Sequence, residues 1–425
     1  MSKYWLGDAV AVAKVITLTI ANESTGDTFS ISVGGVEIAS QELTATGTDA
    51  DDVIAELITD WNTSTHPCAI GVTATAGGTG DMVLTADVAG WDFDVTPAVD
   101  ISGATTFTAA VTTALAGPNV WDDGQNWWDA TSQTRGTAPV TGDDVILRDS
   151  DVNICWGLDQ SAVTLASLSV EESYTGKIGL KWRHHAASAD GDTLSTAGAR
   201  EYRQHSLKIG ATRVDIGKRV GTDASTGSAR IKIHNTVATE TTVHRTGTNN
   251  ADSGFANVRL RFDNASSNVY ISSARRGVAI ASDEPGETSS LSGLHFNTLS
   301  PRDWCKVGDG VTINHVNQNG GATLLQSAGT VATVNISGGR LTTEGDFVLT
   351  TLNVYGGKIV ANHVNASTEI GTANLQGGEL DMSQGGEPRT VGILNPTAGV
   401  FRLDDHTVTV TTWNEPVGRR SVTFA

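Results

Sequence analysis

Cysteine, positive charge and long apolar runs are all scarce in this sequence, and each shortage removes a class of protein. The three cysteines in 425 residues, Cys68, Cys155 and Cys305, are odd in number and far apart, with no metal-ligand spacing. They do not read as a disulfide framework or a zinc site; buried reduced thiols in a protein made in a reducing cytoplasm are expected. Long apolar runs are missing too, so no membrane-spanning segment and no membrane partner are expected. The first twenty residues carry Asp8 and Lys14 inside their apolar stretch and lack a small-residue cleavage site, unlike a secretory signal. Lysine and arginine number 28 against 47 acidic residues, a net charge of −19, which argues against nucleic acid as a partner.

That charge is uneven. Residues 1–117 hold only Lys3 and Lys14 against fifteen acids, whereas residues 181–276 hold fifteen Lys and Arg against eight acids. Two solvated faces account for the asymmetry; the sharper reading is that the acidic region of one molecule meets a basic surface on a neighbour. What the chain does have is glycine, 47 residues of it, with Thr, Ser, Val, Ala and Asn, a composition of strands and turns.

The strongest signal is a phrase that returns five times. It reads Val316-Asn317-Gln318-Asn319-Gly320-Gly321, Val334-Asn335-Ile336-Ser337-Gly338-Gly339, Leu352-Asn353-Val354-Tyr355-Gly356-Gly357 and Ala373-Asn374-Leu375-Gln376-Gly377-Gly378, and closes in degraded form as Leu394-Asn395-Pro396-Thr397-Ala398-Gly399. A period near twenty residues predicts a solenoid, each repeat one rung of short strands stacked on the last. The glycine pairs supply the corners, where a side chain would forbid the bend. Asparagines at one register, Asn317, Asn335, Asn353, Asn374 and Asn395, are expected to stack in a column and pass hydrogen bonds from rung to rung. The fold expected is mostly β, a parallel β-helix (β-solenoid) preceded by a small α+β N-terminal domain.

Residues 1–117 are predicted to form that α+β domain. Residues 14–20 and 27–33 alternate apolar and polar and read as paired strands, with further strands at 70–76, 82–86 and 93–97. One helix is predicted, capped by Thr48 or Asp49, with Val53, Leu57 and Trp61 on one face. Residues 118–160 hold Trp121, Trp127 and Trp128, large rings expected to cap the open end of the solenoid rather than to bind sugar. The solenoid itself is predicted over 161–405, with a loop at 182–203 and another at 283–290, and residues 406–425 as a terminal strand or arm.

No chemistry stands out. Glu171-Glu172, Asp190/Asp192, Asp283/Glu284 and Asp404-Asp405 are acids in predicted turns, where they serve solubility. His184-His185 would point to opposite faces of a strand. Gly308-Asp309-Gly310 and Asp122-Asp123-Gly124 are fragments of calcium loops and read as turns. No nucleotide fingerprint or nucleophile motif occurs, so no catalytic residue, cofactor or metal is expected and the chain reads as a non-enzyme.

Two phrases carry a resemblance. Trp61-Asn62 followed by Val72-Thr73-Ala74-Thr75 and Leu84-Thr85-Ala86 resembles a module of bacteriophage structural proteins. Asn126-Trp127-Trp128 followed by Pro139-Val140-Thr141-Gly142-Asp143-Asp144-Val145-Ile146 resembles the start of many bacterial and phage β-helix domains. The whole chain resembles a bacteriophage virion structural protein. The resemblance implies a capsid decoration (cement) protein or head fibre, a homotrimer bound to the major capsid protein or other virion proteins, assembled in the host bacterial cytoplasm. A tail fibre or tail spike that binds, and in some cases cleaves, host surface glycan is the alternative it implies. A cellular surface adhesin ranks last for want of an export signal.

Overall fold

The computed structural model describes residues 1–44, 49–66, 69–100, 104–180, 205–220, 227–248, 256–282, 287–327, 329–345, 347–361, 369–383, 389–403, 408–414 and 422–424. The protein is mostly β, with one α-helix among the described residues and one large, parallel-rich sheet. Thr48, Cys68, the predicted loop at 182–203, the tip of the loop at 283–290 and Arg419-Arg420 lie outside the described residues.

The N-terminal unit has two small antiparallel sheets and the helix Ala50–Thr63. One sheet orders its strands Val72–Ala76, Asp81–Ala86, Val15–Ala21, Thr106–Thr113; the other orders Val36–Glu42, Thr28–Val33, Thr96–Asp100. The strands predicted at 14–20 and 27–33 therefore do not pair with each other. Each buries alternate residues on one side only, so they face one another across a core instead of lying side by side. Phe29 meets Phe107 there edge to face, with ring centroids 5.8 Å apart. Asp49 caps the helix, its carboxylate accepting from the Asp51 and Asp52 amides, and the Asp52 carboxylate accepts in turn from the Asp49 amide. Val53, Leu57 and Trp61 are buried on one face as the spacing predicts. At the far end the Trp61 indole donates to Val72 O, and the Asn62 amide exchanges two 2.9 Å bonds with the Ala74 backbone. The Trp-Asn pair thus fastens the helix to a strand edge.

The domain predicted at 1–117 needs one correction, at its start. The first strand, Ser2–Trp5, pairs in parallel with Asp144–Leu147 and antiparallel with Trp127–Asp129, so it belongs to the large sheet. The α+β unit is inserted after it, and its two connections meet at a Val12–Ala116 bridge. Asn126 ties them together: its side chain accepts from the Ala9 amide and donates to Gly117 O and Val120 O. Trp127 packs edge to face on Trp5 and on Trp121, with centroids 5.0 and 4.7 Å apart, and all three rings are buried. Trp128 points to the other face of its strand and is only half-buried. Trp5 takes the place expected of it in the aromatic cluster. Beside the rings, the Lys3 ammonium lies 2.9 Å from the Asp129 carboxylate, both buried by their neighbours.

In the large sheet most strands pair in parallel with the second strand after them; the long strands Val311–Leu325 and Gly329–Thr343 run through both stacks. One register runs Val145, Leu168, Val214, Thr241, Val269, Leu294, Val316, Val334, Leu352, Ala373, Leu394. Every member is buried, and all but Thr241 are apolar. Such a column, buried by the parallel strands above and below it, is the core. Within the terminal strand or arm predicted at 406–425, two strands extend the sheet: Val408–Trp413 pairs with Arg389–Pro396, and Val422–Phe424 with Gly399–Leu403.

Candidate functional site

Strand alternation sends Leu352 and Val354 into the core and Asn353 to the opposite face. The parallel register stacks Asn317, Asn335, Asn353, Asn374 and Asn395 on that face, half-buried. Each Nδ2 donates to the Oδ1 of the residue before it, at 2.7 Å from Asn335 to Asn317, 2.8 Å from Asn353, 2.7 Å from Asn374 and 2.7 Å from Asn395. The column is longer than the repeated phrase. Asn414 donates to Asn395 at 2.6 Å, and Asn317 donates to the Nδ1 of His295 at 3.1 Å. His295 in turn stacks on Tyr270, 4.6 Å between centroids and 10° between planes. Asn414 went unread because Val417-Gly418, not Gly-Gly, stands three residues after it.

The glycine corners divide their work. The second of each pair, Gly321, Gly339, Gly357 and Gly378, has positive φ, and so does Gly399 in the degraded repeat. The first of each pair, except Gly320, lacks positive φ. A Cβ on Gly356 would still come within 2.6 Å of Ser337 O, and one on Gly377 would strike Tyr355 O. Gly338 meets only the ordinary contact distance of Asn319, 3.4 Å. Ala398 replaces the first glycine and Gly399 keeps the second, because the left-handed turn is the stricter demand.

Beside the amide column lies a second one, two residues further along each strand. Asn319 Nδ2 donates to Asn297 Oδ1 at 3.1 Å, and the Ser337 hydroxyl donates to Asn319 Oδ1 at 2.9 Å. The two columns line an open groove of about 650 Å³, whose rims include Tyr270 and Tyr355. Those rings are 37% and 50% exposed. No Lys, Arg, Asp or Glu lines the groove. Its one histidine, His295, is held below the ordinary histidine pKa by burial and by the neighbouring His315, so it is neutral at pH 7.

The acids form no such arrangement. Glu171 is pushed up by burial, while Glu172 pairs with Arg245 at 3.2 Å. Asp190/Asp192, Asp283/Glu284, Asp404-Asp405 and His184-His185 lie outside the described residues. Asp123 accepts from the Gln125 and Gly117 amides, as a turn residue does. Gly308 sits against the backbone of Ala281 and Gly310 against that of Glu287, close approaches that a turn glycine allows. Among the described residues no group of three His, Cys, Asp or Glu could hold a metal, and no helix is long and apolar enough to cross a membrane. Cys155 and Cys305 are buried and outside any disulfide; burial pushes the Cys305 thiol up to about 12. Of the fifteen Lys and Arg predicted as a basic surface at 181–276, Arg230, Lys232 and Arg259 are buried within the chain. Compared with family models and with curated proteins, the chain matches none.

Proposed function

We propose that this chain is a bacteriophage virion structural protein whose large sheet closes as a parallel β-helix, and that it decorates and stabilises a capsid as a homotrimer. The observation that carries the reading is the unbroken parallel register from Val145 to Leu394, which makes a stiff rod suited to a clamp or spacer. The tryptophans and the Lys3–Asp129 pair stand at the first strands of that register, where an open apolar end would otherwise pair with other chains. A thin rod with few large apolar residues gains by packing its flat sides on two copies of itself. The acidic N-terminal unit supplies the contact to the shell, and that contact weakens as salt rises.

Mass spectrometry of purified virions, separated into tail-free capsids and tails, tests the reading. Peptides of this chain should follow the capsids. Peptides confined to the tail fraction would move the assignment to a fibre or spike, and their absence from both would end it. Light scattering should give three times the 44.3 kDa chain mass; a stable monomer at micromolar concentration would remove the trimer.

A further inference from the structure

We infer that the groove between Tyr270 and Tyr355 binds a neutral glycan chain, an activity that goes beyond virion architecture and does not depend on it. The argument begins with charge. In a protein of net charge −19, a groove of this size walled without a single carboxylate, ammonium or guanidinium offers no counter-charge to a charged ligand. Its walls offer instead what a sugar's hydroxyls need. Each ladder amide, such as Asn317 and Asn319, spends one N–H and one acceptor position on its neighbours. An Asn side chain has two donors and an acceptor oxygen with two lone pairs, so one donor and one lone pair of these amides are left for a ligand.

The ladders also hold those groups still. Each amide is fixed by bonds along the column, so little side-chain freedom is lost when a ligand docks. Their spacing is regular, about 4.8 Å per strand, which suits a repeating chain better than a compact molecule. The rings complete the site. Tyr270 is kept flat by its stack on His295, and Tyr355 stands four strand steps away, about 19 Å along the sheet. An aromatic face at each end of a row of hydrogen-bonding groups accepts the apolar C–H faces of successive pyranose rings, and leaves their hydroxyls to the amides and Ser337. A second copy of this chain is the competing occupant, and the experiment separates the two.

The full chain is applied to an array of neutral gluco-, galacto- and N-acetylhexosamine oligosaccharides alongside sialylated and uronic-acid oligosaccharides, and hits are measured by titration. Binding to neutral members over acidic ones is expected, and Tyr270→Ala and Tyr355→Ala should each weaken it about tenfold, one stacked ring's contribution, with the melting temperature unchanged. Capture of no neutral oligosaccharide, or binding indifferent to both substitutions, would overturn the assignment. So would cross-linking between copies from Tyr355→Cys in the absence of sugar, because the groove would then be an interface.

Discussion

The two halves of the large sheet keep the same core but finish their outer faces differently. After Leu294, register partners recur at short intervals: the amide ladder steps by 18, 18, 21, 21 and 19 residues. Before it the steps are longer. Val214 pairs with Thr241 and Thr241 with Val269, 27 and 28 residues on, and Leu168 pairs with Val214 across the segment at 181–204. In the short-step half the solvent-facing column is a run of like amides. In the long-step half the corresponding positions carry Asp215, Thr242 and Tyr270, and ion pairs replace the ladder. Asp215 meets His244 at 3.0 Å and Arg213 at 2.8 Å; its carboxyl is held low by those two partners against the upward push of burial. Short connections fix the register so tightly that one side-chain type can repeat. Longer ones leave each strand to find its own neighbours.

Breaking a corner packed on the strand connection below should hurt more than breaking an open turn. Gly357 has φ +74, and a Cβ there would stand 2.7 Å from Gly339 O, so Gly357→Ala is expected to cost roughly 2–4 kcal/mol in denaturant unfolding. Gly142 has φ +90 with nothing within 4 Å, so Gly142→Ala should cost only about 1 kcal/mol of backbone strain. Equal losses at the two sites would show that close stacking of corners is not what separates them.

Acid should weaken the aromatic end. The Lys3 ammonium, then the Ser132 and Thr131 amides, hold the Asp129 carboxyl down to about 2 from its ordinary 3.8. A depressed carboxyl contributes stability above its unfolded pKa and loses it as pH falls through the folded one. The melting temperature should therefore drop between about pH 4 and pH 2, with a smaller drop for Asp129→Asn, and scanning calorimetry of both proteins measures the difference. Identical acid profiles would remove the pair from the account.

The ladder gives the smaller effects. Asn353→Ala removes two amide bonds and is expected to cost about 1–2 kcal/mol, whereas Asn414→Ala, at an exposed end with one bond, should cost about 0.5 kcal/mol. A uniform loss along the column would mean that the bonds are not what matters there.

The sequence was legible where spacing was short and one residue type repeated. Asn317 to Asn395 and their glycines announce the register, and Val53, Leu57 and Trp61 announce the helix. The groove was hidden because Tyr270 and His295 share no phrase with the asparagines they stand above; only the register, carried across steps of 25 and 22 residues, joins them. Ser2–Trp5 was hidden for a similar reason. Its partners lie beyond an inserted domain, and four residues carry no pattern that points so far along the chain. Thr106–Thr113 buries only Phe107, so it lacked the alternation that marks a strand.

Distance along the column tests the continuous register most directly. Glu240 and Thr372 stand six strand steps apart through Asn268, Gly293, His315, Thr333 and Thr351. Spin labels on Glu240→Cys and Thr372→Cys, with Cys68 replaced by Ser and the buried Cys155 and Cys305 left in place, report that distance by electron double resonance. One narrow distribution near about 29 Å is expected, at ~4.8 Å per step. A broad distribution, or one centred beyond about 40 Å, would contradict the stacking of parallel strands.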